Sequence, residues 1–79
     1  MTFIVETVSG SIYYFKEIGG KPYIICDVGR GIVVSNTHPN TGYPMKIVYR
    51  KQDDRTGNIS EEYSHITTYP VKDVTIEIN

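Results

Sequence analysis

The chain has no alanine, no leucine and no tryptophan. Alanine and leucine head the helix-propensity ranking, so their absence argues against a mainly helical fold. Cys26 is the single cysteine, which excludes an internal disulfide framework and fits a cytosolic setting. An excess of either charge is also missing. Eight Lys and Arg stand against nine Asp and Glu, for a formal net charge of −1. The field of the whole molecule therefore favours no class of partner, and only a local basic patch could favour nucleic acid. Long apolar runs are absent too. The stretch Phe3-Ile4-Val5 is short, lacks a basic start and is interrupted by Glu6, so it reads as neither a signal peptide nor a membrane span. No repeat, low-complexity tract or linker divides the 79 residues, and residues 1–79 are expected to form one domain. A domain of this size buries only about 60% of the surface its unfolded chain exposes, and self-association into a homo-oligomer is a common remedy.

Residues that suit strands are abundant. Eleven Ile, eight Val and eight Thr are β-branched, and seven Tyr and two Phe bring the strand-favouring total to 36. Branching at Cβ restricts χ1, which a helix penalises and a pleated surface accommodates. Strands are predicted over 2–8, 12–18, 22–28, 32–34 and 45–51, with a last one over 74–78. Ser9-Gly10, Gly19-Gly20 and Gly29-Arg30-Gly31 supply the turns. Met45, Ile47 and Tyr49 share one face of the best-patterned strand, and Lys46, Val48 and Arg50 the other. Residues 59–69 are ambiguous. Ser60 followed by Glu61 and Glu62 suits one helical turn, His65 to Tyr69 suits a strand, and Pro70 punctuates the chain. Five to seven short strands joined by tight turns predict an all-β fold, a small antiparallel barrel or strongly bent sheet of SH3-like or OB-like type. A two-layer sheet that dimerises is the alternative.

Two short stretches carry a resemblance. Glu6-Thr7-Val8-Ser9-Gly10-Ser11-Ile12-Tyr13 resembles the opening hairpin of small β proteins encoded by phages and bacteria. Thr67-Thr68-Tyr69-Pro70-Val71 resembles the Thr-Ser-Pro-Val step into their final strand, with Tyr69 where those proteins have Ser. The resemblance implies an accessory protein in the host-cell cytoplasm that inhibits host defence, as anti-CRISPR proteins and nucleotide sponges do. Neither motif carries chemistry, so no site residue transfers from it.

Catalytic and metal patterns are weak. Cys26 with His38 or His65 has the composition of a nucleophile–base pair, but a cysteine between Ile24 and Val28 reads better as a small buried residue. Two histidines and one cysteine do not make a structural zinc pattern. Asp53 to Glu62 is acidic and contains Gly57, yet its spacing fails a calcium loop and reads as a charged hairpin tip. No motif calls for a cofactor, and no enzyme is expected.

Binding is the better-supported reading. The stretch 36–44 is longer than a hairpin needs, and loops of that kind often carry function. Tyr43, His38 and Asn40 on it suit an interface anchored by a rigid aromatic, with Arg30 expected on a neighbouring turn. About half the tyrosines are expected in the core. The leading expectation is a non-enzymatic binding protein that docks a host protein or a small anionic nucleotide ligand through this loop. The alternative is a barrel for single-stranded nucleic acid. A basic stripe of Lys46, Arg50, Lys51 and Arg55 would track the backbone, and Tyr13, Tyr14, Tyr23 and Tyr43 would stack on bases. Nearby Asp53, Asp54, Glu61 and Glu62 weigh against it by cancelling charge.

Overall fold

The computed structural model describes residues 2–78. Six strands run in chain order: β1 Thr2–Thr7, β2 Ile12–Ile18, β3 Lys21–Cys26, β4 Gly29–Asn36, β5 Pro44–Lys51 and β6 Ser64–Glu77. Each pairs antiparallel with its sequence neighbour, and β6 also pairs with β1, which closes the sheet into a barrel. This is the small antiparallel barrel that the composition predicts. Its sequential order is that of an up-and-down barrel, without the Greek-key crossover of an OB-fold. Closure removes the exposed edges that an open sheet this apolar would present. No helix occurs among the described residues. The helical turn expected at Ser60 is a bend, in which the Glu62 N–H donates to Ser60 Oγ at 3.1 Å. A short side chain that bonds the nearby backbone in this way competes with helix.

The first two hairpins follow the sequence reading. The Thr7 N–H donates to the Ser11 carbonyl at 3.0 Å and the Gly10 N–H to the Thr7 carbonyl at 2.9 Å. Gly19 and Gly20 both take positive φ, 59° and 78°, as a type I′ turn requires. The third turn falls elsewhere than expected. Gly29, Arg30 and Gly31 lie inside β4, and the chain reverses at Asp27-Val28, with Cys26 opposite Gly29. Gly31 is a glycine because another group lies close to it. A Cβ there would collide with the Arg50 carbonyl oxygen and come within 2.8 Å of the Tyr49 ring. Glycine inside a strand often marks such an approach.

The end of the chain also differs from expectation. In place of two strands separated by Pro70, one 14-residue strand serves two partners. Its first half, Ser64 to Pro70, pairs with β5, and its second half, Val71 to Glu77, pairs with β1. Pro70 stands at the hand-over, opposite Pro44. Proline has no N–H to contribute to a ladder, so the point where pairing changes sides is the one interior position where it costs little.

The barrel interior holds Val5, Phe15, Ile24, Met45, Ile47, Tyr49 and Val71. Phe3 stacks on Phe15 with ring centroids 4.6 Å apart and planes 7° from parallel. The tyrosines contribute less to the core than half of their number. Tyr49 is buried and Tyr13 packs partly against the core, while Tyr14, Tyr43, Tyr63 and Tyr69 are exposed. Isoleucine, valine, phenylalanine and methionine fill the barrel and leave most phenol rings outside.

Candidate functional site

The inward set fixes the outward set, because side chains alternate along a strand and directly paired residues share a face. Phe15, Ile24 and Gly31 pair across β2, β3 and β4 on the inside. One residue further along, Tyr14, Ile25 and Arg30 form an outward row. Two residues beyond that, Lys16, Tyr23, Ile32 and Arg50 form a second outward row across four strands. Along β2 to β5 the charged residues at outward positions are Lys16, Lys21, Arg30, Lys46 and Arg50, and all are basic.

The acids lie elsewhere. Glu6 faces Asp73 and Thr2 faces Glu77 across β1 and β6. Asp53, Asp54, Glu61 and Glu62 sit in the 52–63 connection. Two acids reach the rim of the basic face, Asp27 in the β3–β4 turn and Glu17 at the end of β2. Apolar and aromatic groups fill the space between the cations. Tyr14 is 41% exposed and Ile12 38%, and Tyr23, Ile25 and Ile32 are half-buried.

The site residues expected from sequence divide between two places. Arg30 and Arg50 share the basic face, although Arg30 is carried on a strand and not on a turn. The Arg50 Nε–H donates to the Ser60 carbonyl at 2.7 Å, which anchors the stem of that side chain. His38, Asn40 and Tyr43 lie on the β4–β5 loop, at the opposite end of β4 from Arg30. Asn36 lies six positions along the strand from Arg30, a distance of about 20 Å, so Arg30 does not border the loop. Lys46 does. Its N–H donates to Thr37 Oγ1 at 2.9 Å, and its carbonyl accepts the Thr37 N–H at 2.9 Å. The supposed stripe of Lys46, Arg50, Lys51 and Arg55 is interrupted: Lys51 takes the inward parity opposite Gly31, and Arg55 belongs to the hairpin tip.

The 37–43 loop is fastened to β6. The Gly42 N–H donates to the Val71 carbonyl at 2.8 Å, the Val71 N–H to the Tyr43 carbonyl at 2.9 Å, and the Tyr43 N–H to the Asn40 carbonyl at 3.1 Å. Tyr43 is nonetheless 68% exposed. The loop's length therefore has a structural use, since it caps the point where β6 changes partners.

The cysteine and acidic segments show no catalytic arrangement. Cys26 has the inward parity of Ile24 on β3, whereas His65 faces outward opposite Val48 and His38 lies on the loop at the far end of β4. Burial pushes the Cys26 thiol up, opposed by a backbone hydrogen bond from Val28 and reinforced by Asp27. Burial also raises Tyr13 and Tyr49, with Cys26 adding to both. The Asp53 carboxylate accepts the backbone N–H groups of Thr56 at 3.0 Å and Arg55 at 2.8 Å, and these hold its pKa below the usual range. That carboxylate shapes its own turn. Among the described residues no group of three His, Cys, Asp or Glu is placed to hold a metal ion, and no helix is long and apolar enough to cross a membrane.

Sequence reasoning named Tyr14 and Tyr23 as stacking platforms but passed over Lys16 and Lys21. The available signal was parity within β2 and β3. Once Lys16 is taken as outward, Tyr14 is outward with it, and Lys21, Tyr23 and Ile25 share one face of the next strand. Both faces of β2 are apolar enough to hide that choice.

A six-stranded up-and-down barrel with a polarised outer surface is the class that the fold and site define. No protein-family model, curated protein or solved structure matches the chain.

Proposed function

We propose that this barrel is a non-catalytic binding module that takes an anionic partner on the outward face of β2 to β5. One observation carries the reading: the five charged side chains at outward positions of these strands are all basic, in a chain whose net charge is −1. Separating charge in this way raises the local potential, and a cluster of one sign concentrates counter-charged ligands. Arg30 and Arg50 add planar guanidinium groups suited to phosphate. The raised thiol pKa of Cys26 supports a packing role for that residue, since the thiolate is the nucleophilic form. For an anti-defence protein of the kind resembled, the ligand would be a nucleotide or nucleic acid of the host.

Titration with inorganic polyphosphate tests this reading. Binding should weaken steeply with salt through counterion release. Lys16→Glu with Arg30→Glu should reduce affinity roughly tenfold or more, with the melting temperature retained. Equal affinity before and after the double reversal would sink the reading.

A second reading rests on the fastened loop. A backbone held by β6 that presents a largely exposed tyrosine loses little entropy on docking a protein. Tyr43→Ala should then weaken capture of that partner by about 2 kcal/mol or more and leave folding nearly unchanged. Normal capture by the well-folded variant would remove the loop from consideration.

A further inference from the structure

We infer that the anion held on the β2–β5 face is a single-stranded nucleic acid, with Tyr14 and Tyr23 as the stacking platforms. The inference rests on the anion-binding reading above and goes beyond it by assigning the aromatic rings a role. Tyr14 and Tyr23 occupy adjacent strands, displaced by two residues in register, since Tyr14 is opposite Ile25 and Tyr23 opposite Lys16. Diagonal neighbours of this kind stand about 7–8 Å apart, close enough for two successive bases of one strand. Lys16 lies directly beside Tyr23, and Arg30 ends the row that begins at Tyr14 and runs through Ile25. Each row thus holds a ring and at least one cation, Tyr14 with Arg30 and Tyr23 with Lys16 and Arg50, an arrangement that lets a phosphate backbone and its bases be held together.

The chemistry favours this occupant over two others. Protein interfaces are depleted in lysine and in charge at their centre and gather polar groups at the rim. Here each of the four strands carries an outward cation, Lys16 on β2, Lys21 on β3, Arg30 on β4 and Lys46 with Arg50 on β5, so charge is spread across the face and not gathered at a rim. A nucleic-acid duplex would use the cations but not the rings, because its bases are stacked on one another, whereas a single strand can place unstacked bases on aromatic side chains. The face is also the outside of a closed barrel and so convex, which suits a flexible strand better than a rigid rod. Tyr14 offers its ring at 41% exposure. Tyr23 is half-buried and, with Lys16, borders a cleft of about 250 Å³ whose other walls include the inward-facing Phe3, Phe15 and Val33. Glu17 shares that cleft, so the phosphates are expected to follow Lys16 and Arg30 and keep away from the β2–β3 turn.

Fluorescence anisotropy with a labelled oligothymidine, in competition with inorganic polyphosphate and with a duplex, decides the matter. The oligonucleotide should bind more tightly than either competitor. The logarithm of its affinity should fall with the logarithm of salt at a slope of about −2 to −3.5, if three to five phosphates are neutralised. Tyr14→Leu with Tyr23→Leu keeps apolar area and removes the rings. It should weaken the oligonucleotide roughly fivefold or more and leave polyphosphate unchanged, while Tyr14→Phe with Tyr23→Phe restores oligonucleotide binding. If polyphosphate or duplex binds as well as the oligonucleotide and ring removal has no effect, the stacking inference is overturned while the anion reading survives. If no polyanion binds, both fall together. If sedimentation instead shows a dimer that the Leu pair dissociates, the face is an interface between copies of this chain, and the inference is again overturned.

Discussion

The barrel has two outer walls that differ in both charge and construction. The wall of β2 to β5 carries only cations among its outward charges, and its strands β2, β3 and β4 are joined by tight two-residue turns. The wall of β6 and β1 is mainly acidic, because Glu6, Asp73 and Glu77 outnumber Lys72, and Glu6 stands opposite Asp73. It is closed by one long strand that changes partners at Pro70 and is bonded to a loop. Net charge conceals this division. A chain at −1 can hold a strongly basic face if its acids are placed on the opposite wall and in a hairpin tip, so composition bounds the global field and says little about local potential. The two walls also differ in what holds them together. On the first, side-chain packing sets the spacing. On the second, at its seam with β5, hydrogen bonds compensate for a ladder interrupted by Pro70 and by Pro44 of β5.

The largest expected effect tests the packed wall. Gly31 lies under the ring of Tyr49 and against the Arg50 carbonyl. In Gly31→Ala the new Cβ meets backbone that cannot rotate aside. The cost should reach about 3 kcal/mol or more, at the top of the range for overpacking, which lowers Tm by roughly 12–24 °C in a domain of this size. Thermal melting followed by circular dichroism measures it. A shift of only a degree or two would mean that β4 and β5 are not this closely apposed.

An intermediate effect tests the hydrogen-bonded wall. Thr68 is 4% exposed, and its Oγ1 accepts the buried Met45 N–H at 2.9 Å while donating to the Tyr69 carbonyl at 2.7 Å. This bond restores pairing next to the irregularity between Pro44 and Lys46. Thr68→Val keeps the shape and removes the hydroxyl, leaving a buried N–H without a partner. Denaturant unfolding should show a loss of about 1–3 kcal/mol, and Thr68→Ser should recover most of it. A neutral Thr68→Val would remove the proposed difference between the walls.

The walls were also unequally legible in the sequence. Met45-Ile47-Tyr49 against Lys46-Val48-Arg50 could be assigned from alternation alone, because one face of β5 is apolar and the other is not. The Ser9-Gly10 and Gly19-Gly20 turns were legible because φ above zero restricts the residues that fit. Gly29-Arg30-Gly31 was misplaced because the glycine at 31 answers to Tyr49, which is remote in sequence. Pro70 read as a break because proline removes a donor, but only the closed topology shows that no donor is needed there. The basic face was the least legible feature. It is assembled from one or two residues on each of four strands, and their alignment depends on register, which no local pattern fixes when both faces of β2 and β3 are apolar.

The smallest expected effect probes the acidic wall and the independence of the two. Glu6 stands directly opposite Asp73, and like charges in that position destabilise a sheet. Glu6→Lys turns the repulsion into an attraction and should raise stability by about 0.2–1 kcal/mol, a gain that shrinks as salt is added. The same substitution changes the net charge from −1 to +1, the sum of losing one acid and gaining one base. If global charge governed ligand binding, affinity for polyphosphate would rise with it. Strand geometry instead puts Glu6 about 13–15 Å from Lys16 and Arg30, beyond the Debye length of about 10 Å at 0.1 M salt. Polyphosphate affinity at that ionic strength should therefore stay the same while the melting temperature rises. Unchanged stability would show that the Glu6–Asp73 pair is already relaxed by solvent. A clear rise in affinity would show that the walls communicate through the field, and the basic face would then no longer be a local device.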